Sequence, residues 1–253
     1  MDFTGKTAVV TGGAKGIGGA AATRLLESGA LVVVLDMDGP RAIERLAPFG
    51  ARGRFIRCDV SKSDEVRDAF KQIEAEYSSV TILVNNAGIQ RYSTVSETTE
   101  EEWDYVMDVN LKSAFLCAKY CIPLMKEGVI IHVSSVQGFM TQHNVAPYTT
   151  SKTGMLGLMR SIAVDYAPHV RSVAVCPGSV DTPMLRWSVN QSPDPEAVLR
   201  EVRQMHLTER MAAPAEVANL ILYLASDDAA FITGQAFRID GGLGLTIPGS
   251  KRA

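Results

Sequence analysis

The regular alternation of short apolar runs with longer helical patterns constrains the fold of this chain most. Continuous runs rich in Val, Ile and Leu predict buried strands at 7–11, 31–36, 54–60, 81–84, 129–134, 171–176 and 235–240. Helical spacing of apolar residues between them predicts helices at 17–28, 41–46, 63–77, 100–126, 149–166 and 215–225. Strands without a polar face, separated by helices, are typical of a parallel sheet covered on both sides. We therefore predict an α/β fold: a doubly wound, Rossmann-like parallel sheet with helices on both faces.

The domain organisation follows from the same pattern. No repeat, low-complexity tract or internal linker interrupts it, so a single domain spanning residues 1–253 is predicted. The stretch 178–195 carries three prolines and is long for an ordinary connection. Such segments are often functional, and we expect a substrate lid at about 178–206.

Composition limits the classes of partner. The chain has 25 Lys and Arg against 28 Asp and Glu, a net charge of −3, which argues against nucleic acid or an anionic membrane as the main partner. Neither a secretory leader nor an apolar run of membrane-spanning length is evident, so a cytoplasmic location is expected. The four cysteines are interpreted as buried reduced thiols, namely Cys58, Cys117, Cys121 and Cys176. No metal site is predicted.

A glycine-rich loop, TGGAKGIG at 11–18, follows the first strand and opens the first helix. Glycines let the backbone approach a pyrophosphate, and the helix N-terminus offers free N–H groups and a positive dipole end. The spacing matches neither the plain GxGxxG fingerprint nor a P-loop. A tight structural turn is the alternative interpretation.

Asp36 ends the second strand, where a carboxylate can accept hydrogen bonds from both hydroxyls of an adenosine ribose and would repel a 2′-phosphate. A solvated strand end is the alternative. Lys15 in the glycine loop could favour NADP, but Met37 and Asp38 follow Asp36 where a basic residue would be needed. NAD is therefore the expected cofactor, with NADP the less favoured one.

A second cluster has a catalytic composition. Tyr148 and Lys152 are one helical turn apart, Ser134 and Ser135 end the fifth strand, and the segment 85–88 ends the fourth. Open α/β sheets bind ligands at these carboxyl ends of their strands. A surface tyrosine beside a surface lysine is the alternative for the helical pair.

Together these segments resemble the short-chain dehydrogenases/reductases over nearly the whole chain. The motifs stand in the family's order: TGGAKGIG (11–18), Asp36, Asp59-Val60, NNAG (85–88), Asn110, Ser135, Tyr148-x-x-x-Lys152, and Pro177-Gly178 with Thr182. The resemblance implies a catalytic tetrad of Asn110, Ser135, Tyr148 and Lys152. Ser135 is chosen over Ser134 because the family's serine falls thirteen residues before the tyrosine. His132 departs from the family, which often has Asn there.

The resemblance also implies a set of cofactor contacts. The pyrophosphate would lie on three loop glycines, the adenosine at the ends of the second and third strands, and the nicotinamide against the segment after the sixth. The residues expected to contact the cofactor are Gly12, Lys15, Gly16, Ile17, Gly18, Asp36, Asp59, Val60, Asn86, Ala87, Gly88, Tyr148, Lys152, Pro177, Gly178, Val180 and Thr182.

The tetrad suits alcohol oxidation, which needs a base for the hydroxyl proton while hydride leaves carbon. A free tyrosine, with a pKa near 10, is a weak base at pH 7. A lysine ammonium about 4 Å away would contribute roughly 4 kcal/mol of attraction, about three pKa units. Tyr148 is therefore the expected base, and Ser135 the group that holds the reacting oxygen.

A narrower resemblance, to aldose 1-dehydrogenases of the same family, lies in stretches such as NNAGIQRY (85–92), SSVQ (134–137) and VCPGSVDTPM (175–184). A sugar pocket needs several hydrogen-bonding groups, and the candidates are Gln90, Ser135, Gln137, Asn144 and, for stacking, Trp187. Each could instead be a solvated loop residue. The resulting prediction is hydride transfer from C1 of an aldose to NAD, giving a sugar lactone.

Two other functions stay open. One is that the chain is another reductase of the same family. Its substrate would then be a 3-oxoacyl thioester or another secondary alcohol or ketone. The other is a catalytically silent NAD-binding sensor. The helical segments 100–126 and 149–167 are apolar on more than one face, and the family resemblance implies a homotetramer, with the tail 241–253 packing across it.

Overall fold

The computed structural model describes residues 1–245, and its centre is a single parallel sheet of seven strands. The strands are β1 (Thr7–Thr11), β2 (Leu31–Asp36), β3 (Gly53–Arg57), β4 (Ile82–Asn85), β5 (Gly128–Val133), β6 (Val170–Pro177) and β7 (Ala236–Ile239). Their order is β3-β2-β1-β4-β5-β6-β7, and all neighbours are parallel. The chain winds outward in opposite directions from β1 and β4, so the predicted doubly wound fold is confirmed.

Nine helices connect these strands within residues 1–245. They are α1 (Gly16–Glu27), α2 (Gly39–Leu46), α3 (Ser63–Glu76), α4 (Glu100–Met107), α5 (Ser113–Cys121), α6 (Ala146–Asp165), α7 (Pro183–Val189), α8 (Pro195–Gln204) and α9 (Pro214–Ala225). Side chains of α1, α2 and α9 pack on one face of the sheet, and those of α3 and α5 on the other, joined by α6.

Alternation along the strands supplies both core layers. Val10 and Val34 face α1 and α9, whereas their neighbours Val9 and Val33 face α3 and α5, and all four are fully buried. Each buried side chain of this size contributes about 1.5–3 kcal/mol of transfer free energy. The sheet is thus held from both sides, which keeps the carboxyl ends of its strands in fixed positions.

The helical pattern predicted at 100–126 is not one regular helix. A π-helical turn at Asp108–Lys112 separates α4 from α5, and α5 ends at Cys121. A single 3-10 turn, Ile122–Leu124, follows and contains Pro123, which cannot donate the helical hydrogen bond. The α6 helix begins at Ala146, with Pro147 in its first turn, so it starts before Tyr148.

The proline-rich stretch predicted as irregular contains two helices, α7 and α8. Thr182 and Asp194 precede them, and their side chains accept hydrogen bonds from the backbone N–H groups of Leu185 and Ala197. Each helix then begins with proline, which suits a first helical position. Two of the three prolines, Pro183 and Pro195, therefore start helices, and only Pro193 lies in the connection between them.

Three smaller predictions concern the rest of the chain. The four cysteine side chains are buried and form no disulfide. No helix within residues 1–245 has both the length and the apolar character needed to cross a membrane. The predicted packing of the tail 241–253 falls mostly on residues 246–253, which lie outside the described residues.

Candidate active site

A cleft of about 310 Å³ opens at the carboxyl ends of the strands, where the winding reverses between β1 and β4. Its size and place are those of a ligand site in an open α/β sheet. Most of the residues expected to contact a cofactor line it: Gly12, Lys15, Gly16, Ile17, Asp36, Asp59, Val60, Asn86, Ala87, Gly88, Tyr148, Lys152 and Thr182. The cleft therefore joins the glycine loop to the tyrosine–lysine pair.

The glycine loop is shaped by close contacts with the NNAG segment. Gly12 and Gly16 have positive φ angles of 64° and 58°, which favour glycine. A Cβ on Gly18 would lie 2.3 Å from Asn86 Nδ2, which itself donates to the carbonyls of Thr11 and Gly12. Gly18 accordingly acts through packing and lies outside the cleft lining.

The start of α1 fits a dinucleotide pyrophosphate. No side chain caps the helix at Lys15, and the first turn contains no acidic residue. Its first N–H groups and the positive end of its dipole point toward the loop side of the cleft, where a phosphate would be stabilised. Both the tight turn and the open helix end are thus present in one segment.

Asp36 is held at the far end of the cleft by two backbone amides. Its Oδ2 accepts from Ala14 N at 2.9 Å and its Oδ1 from Asp38 N at 3.0 Å. The two nearby cations are paired with another carboxylate, since Lys15 Nζ and Arg41 Nη1 lie 3.7 and 3.2 Å from Asp38 Oδ2. The carboxylate keeps lone pairs for hydroxyl donors.

Tyr148 and Lys152 are buried next to each other on α6. Lys152 Nζ lies 5.7 Å from the centre of the Tyr148 ring and donates to Val133 O at 2.9 Å. Burial raises the pKa of Tyr148 to about 12, opposed by the Ser135 side chain, and burial lowers the pKa of Lys152 to about 8. The sequence-based expectation of a lysine about 4 Å from the tyrosine overlooked this burial, which penalises both charged forms.

The two adjacent serines have different partners. Ser134 Oγ donates to the carbonyl of Lys152 at 2.8 Å, which ties β5 to α6. Ser135 Oγ accepts from Gln137 N at 3.1 Å and interacts with the Tyr148 phenol. Ser134 lines the cleft, but Ser135 is the one beside the phenol.

Asn110 lies in the π-helical turn and is fully buried. Its side chain accepts from Ile89 N at 2.8 Å and donates to Ile89 O and Ser151 Oγ, both at 3.0 Å. A Cβ on Gly88 would lie 3.3 Å from Asn110 Oδ1 and 3.4 Å from Lys152 Nζ. The four members of the expected tetrad are thus brought together around Gly88 and Tyr148.

His132 is buried on β5, and its Nδ1 lies 3.4 Å from Asn85 Nδ2. Burial, and to a lesser extent the charge of Lys152, lowers the pKa of His132 to about 3. Within residues 1–245 neither His132 Nε2 nor Asn85 Oδ1 has a hydrogen-bond partner. The imidazole is therefore neutral at physiological pH.

The segment expected to hold the nicotinamide, 177–182, is held in place by residues on the side away from the cleft. Ser179 N donates to His206 Nε2 at 3.1 Å, and Gly178 packs against His206 and Asp240. Val180 pairs with Ala212 in an isolated bridge. Pro177, Gly178 and Val180 lie outside the cleft lining, whereas Thr182, Pro183 and Met184 form part of it.

The structure does not bring the remaining substrate candidates into the cleft lining. Gln137 Oε1 accepts from Thr149 Oγ1, and the carbonyls of Gln90 and Asn144 accept from Arg91 Nη1 and Ser93 N. Trp187 is 43% exposed on α7. Ser135 alone among these candidates interacts with Tyr148.

Sequence reasoning missed several residues of the cleft and its rim. Ile89, Tyr105, Val109 and Met184 line the cleft, and Tyr92 lies close enough to Tyr148 to raise the pKa of its phenol. Ile89 and Met184 adjoin predicted motifs, and Tyr105 and Val109 precede Asn110 on its helix, so proximity in sequence could have indicated them. Tyr92 ends the stretch NNAGIQRY (85–92), so its place in that stretch could have indicated it as well.

Comparison with known proteins identifies the family. A family model described as enoyl-(acyl carrier protein) reductase matches residues 12–244. The chain is also 39% identical to an uncharacterized oxidoreductase of Thermotoga maritima, over 96% of this chain and 98% of the relative. The chain belongs to the short-chain dehydrogenase/reductase family. The resemblance drawn from the motifs is confirmed, and this short-chain dehydrogenase/reductase is an oxidoreductase acting on CH–OH groups with a nicotinamide dinucleotide.

Two further relatives are similar over nearly their full length. The short-chain dehydrogenase/reductase is 38% identical to dehydrogenase/reductase SDR family member 6 of Aquarana catesbeiana, covering 95% of this chain and 98% of that one. The solved structure of ligand-free aldohexose dehydrogenase from Thermoplasma acidophilum superimposes with a TM-score of 0.92 at 36% identity, covering 99% and 98% of the two chains. This neighbour agrees with the narrower resemblance to sugar dehydrogenases.

Proposed function

We propose that this enzyme oxidises the C1 hydroxyl of an aldose to the corresponding lactone, with NAD as the cofactor. The observation that carries the reaction type is the grouping of Tyr148, Ser135 and Lys152 at the end of a cleft that begins at the glycine loop. The substrate class is supported by the similarity to the T. acidophilum protein, which is an aldohexose dehydrogenase.

Asp36 supports the choice of NAD over NADP. Its carboxylate faces the adenosine end of the cleft, where it would accept hydrogen bonds from both ribose hydroxyls. A 2′-phosphate there would meet two carboxylates, Asp36 and Asp38, and the cations Lys15 and Arg41 are already paired with the second of them. Charge repulsion therefore favours the cofactor without that phosphate.

The roles of the catalytic residues follow from their contacts. NAD supplies a hydride acceptor at C4 of its nicotinamide. Tyr148 takes the proton of the substrate hydroxyl, and Ser135, beside the phenol, donates a hydrogen bond to the reacting oxygen. Lys152 places a positive charge near the phenol and stabilises the phenolate. Asn110 positions the Ile89 backbone and the start of α6 around them.

The lid is proposed to consist of α7 and α8 within residues 178–206. Thr182, Pro183 and Met184 contribute to the cleft, while the Tyr92 hydroxyl and Ser188 Oγ are hydrogen-bonded across its rim. Closure of this segment excludes water from the hydride-transfer site.

The test is formation of NADH, followed at 340 nm, with a panel of free aldoses and with NAD and NADP in parallel. We expect turnover of at least one aldose with NAD and a loss of about 10³-fold or more in kcat for Tyr148→Phe. Tyr166→Phe, at an exposed tyrosine near the end of α6, is the matched control and should leave kcat unchanged.

Contrary outcomes are distinct. Wild-type activity in Tyr148→Phe would exclude the proposed base. Reduction of a 3-oxoacyl thioester by NADPH, without turnover of any aldose, would favour the alternative substrate class. Tight NAD binding without turnover of any alcohol would favour a silent sensor.

A further inference from the structure

We infer that the aldose oxidised at this site carries a carboxylate at C6, the end of its carbon chain opposite C1, as in a uronate, and that Arg91 binds this carboxylate. The inference rests on the proposed function and specifies its substrate class. Three observations carry it: Arg91 lies beside the lining residue Tyr105 and the lid residue Trp187, it has no acidic partner within residues 1–245, and it precedes Tyr92, which lies near the catalytic tyrosine.

Arg91 lies beside the cleft, near two aromatic rings. Its guanidinium is 5.9 Å from the centre of the Tyr105 ring and 5.5 Å from that of Trp187. Tyr105 lines the cleft, and Trp187 belongs to α7, whose first two residues line it as well. The side chain is thus held at the mouth of the cleft between the cofactor side and the lid.

The charge of Arg91 has no partner of opposite sign within residues 1–245. Its one side-chain hydrogen bond goes to the carbonyl of Gln90, at 2.9 Å. Arg186, on the lid, provides a contrast, since two nitrogens bond to Asp181 at 2.7 and 2.8 Å. Arg91 therefore has four of its five N–H groups available and no carboxylate beside it, whereas Arg186 is already paired with one.

A half-buried guanidinium with unused donors favours an anionic ligand. Partial removal from water costs solvation free energy, and two cation–π contacts at this distance offset only part of that cost. The planar fork of donors matches a carboxylate with two parallel hydrogen bonds. The flanking rings hold the fork in place before a ligand arrives.

The neighbouring residue connects Arg91 with the reacting end of the substrate. Tyr92 is close enough to Tyr148 to influence its pKa and bonds to Ser188 of α7. The segment containing Arg91 therefore runs between the catalytic phenol and the lid. An aldose whose C1 hydroxyl meets Tyr148 would extend its other end toward this segment, where the guanidinium lies.

The experiment compares matched pairs of neutral and acidic aldoses, glucose with glucuronate and galactose with galacturonate. It uses the wild type, Arg91→Gln, Arg91→Lys and, as the control, Arg186→Gln. We expect the wild type to prefer a uronate in kcat/KM. Arg91→Gln should lose about 100-fold in kcat/KM for the uronate and less than about threefold for the neutral sugar.

Two further readouts separate charge recognition from a merely structural role. Arg91→Lys keeps the charge without the fork, so about a tenfold loss is expected for the uronate. The Kd for NAD, measured by fluorescence titration without substrate, should be the same in the wild type and in Arg91→Gln. Arg186→Gln should leave the ratio of uronate to neutral-sugar kcat/KM unchanged.

Each contrary result has a separate meaning. Preference of the wild type for neutral aldoses, or an equal loss for both sugar classes in Arg91→Gln, would overturn the inference and leave the proposed function standing. A raised Kd for NAD in Arg91→Gln would assign the guanidinium to the cofactor phosphates and overturn the inference. Turnover of neither sugar class would overturn the proposed function, and this inference with it.

Discussion

Three neighbouring side chains have their ionisation set by burial. Tyr148, Lys152 and His132 lie beneath the junction of β5 and α6, and burial raises the pKa of the phenol and lowers the pKa values of the ammonium and the imidazole. In all three cases the neutral form is favoured. At pH 7 only Lys152 carries a charge, because its pKa of about 8 is still above that pH. Its buried charge costs folding stability, so replacing Lys152 should lower activity and raise stability.

Lys152→Met should abolish oxidation yet stabilise the fold. The lysine pKa is about 8 when folded and 10.5 in the reference state, so the penalty is full below pH 8 and disappears as the pH rises through 10.5. We expect the free energy of unfolding to rise by about 2 kcal/mol at pH 7. Urea denaturation at pH 7 and at pH 10 measures this, and the gain should shrink at pH 10. Lys119→Met, at a surface lysine on α5, should show neither effect.

Asp36 should determine the choice of nicotinamide cofactor. In the pair Asp36→Ser with Met37→Arg, the carboxylate is removed and a cation placed beside the adenosine end of the cleft. We expect kcat/KM for NAD to fall at least about tenfold and that for NADP to rise by a similar factor. Asp64→Asn, at an exposed carboxylate on α3, is the control and should leave the preference unchanged. Unchanged preference in the double variant would remove Asp36 from this role.

At the scale of elements, the sequence pattern predicts all seven strands and most helices. The five central strands are buried on both faces and leave a continuous apolar signal, whereas the edge strands β3 and β7 are only partly buried. Glycine-loop and NNAG positions are also predictable, since each motif lies within one short segment. The π-helical turn at Asp108–Lys112 is not predictable in this way, because its apolar spacing differs little from that of a regular helix. The prolines of α7 and α8 gave a loop signal although both follow capping side chains.

The residues around the substrate region could not be predicted from sequence, because they come from segments that are far apart in the chain. Tyr92 and Ser188 meet across the rim although 96 positions separate them in the chain. Arg91 and Trp187 likewise come from two segments that only the fold brings together. Gln137 and Asn144 were chosen for polarity close to the motifs, and local contacts hold them elsewhere.

The end of α8 should matter for cofactor binding through His206. Its Nδ1 donates to Val202 O at 2.7 Å and its Nε2 accepts from Ser179 N, so the ring links the lid to the end of β6. His206→Phe keeps the size and leaves the Ser179 N–H unpaired, which costs about 1–3 kcal/mol. We expect a lower Tm and a higher Kd for NAD. An exposed histidine serves as the comparison, and His143→Phe should change neither quantity.

At the scale of the whole molecule, subunit assembly stays a prediction. Large apolar side chains are exposed on α5, on α6 and after α9, namely Phe115, Val164 and Phe231. Exposed apolar side chains can take part in contacts between subunits, and the homotetramer remains an expectation from the family resemblance.

Acid should destabilise the whole fold through His132. The folded imidazole has a pKa of about 3, against 6.5 in the reference state. Below pH 6.5 the unfolded chain takes up a proton that the folded chain does not, so stability falls as the pH is lowered. At pH 4.5 this amounts to about 3 kcal/mol. Asn cannot titrate, so Tm of His132→Asn should decrease less than that of the wild type between pH 7 and 4.5; parallel decreases would contradict the assignment.

The rate at which the four buried cysteines are alkylated should report on unfolding of the protein. Burial raises the pKa of Cys58 to about 12 and that of Cys176 to about 11, and it raises the pKa values of Cys117 and Cys121 further. Thiolate is the reactive form, so alkylation of the folded protein is slow. Cys58 borders the cleft, so a bound dinucleotide would slow its alkylation. The other three cysteines would react only after the protein unfolds. Labelling kinetics would then record cofactor occupancy and global unfolding separately, in an assay that needs no substrate.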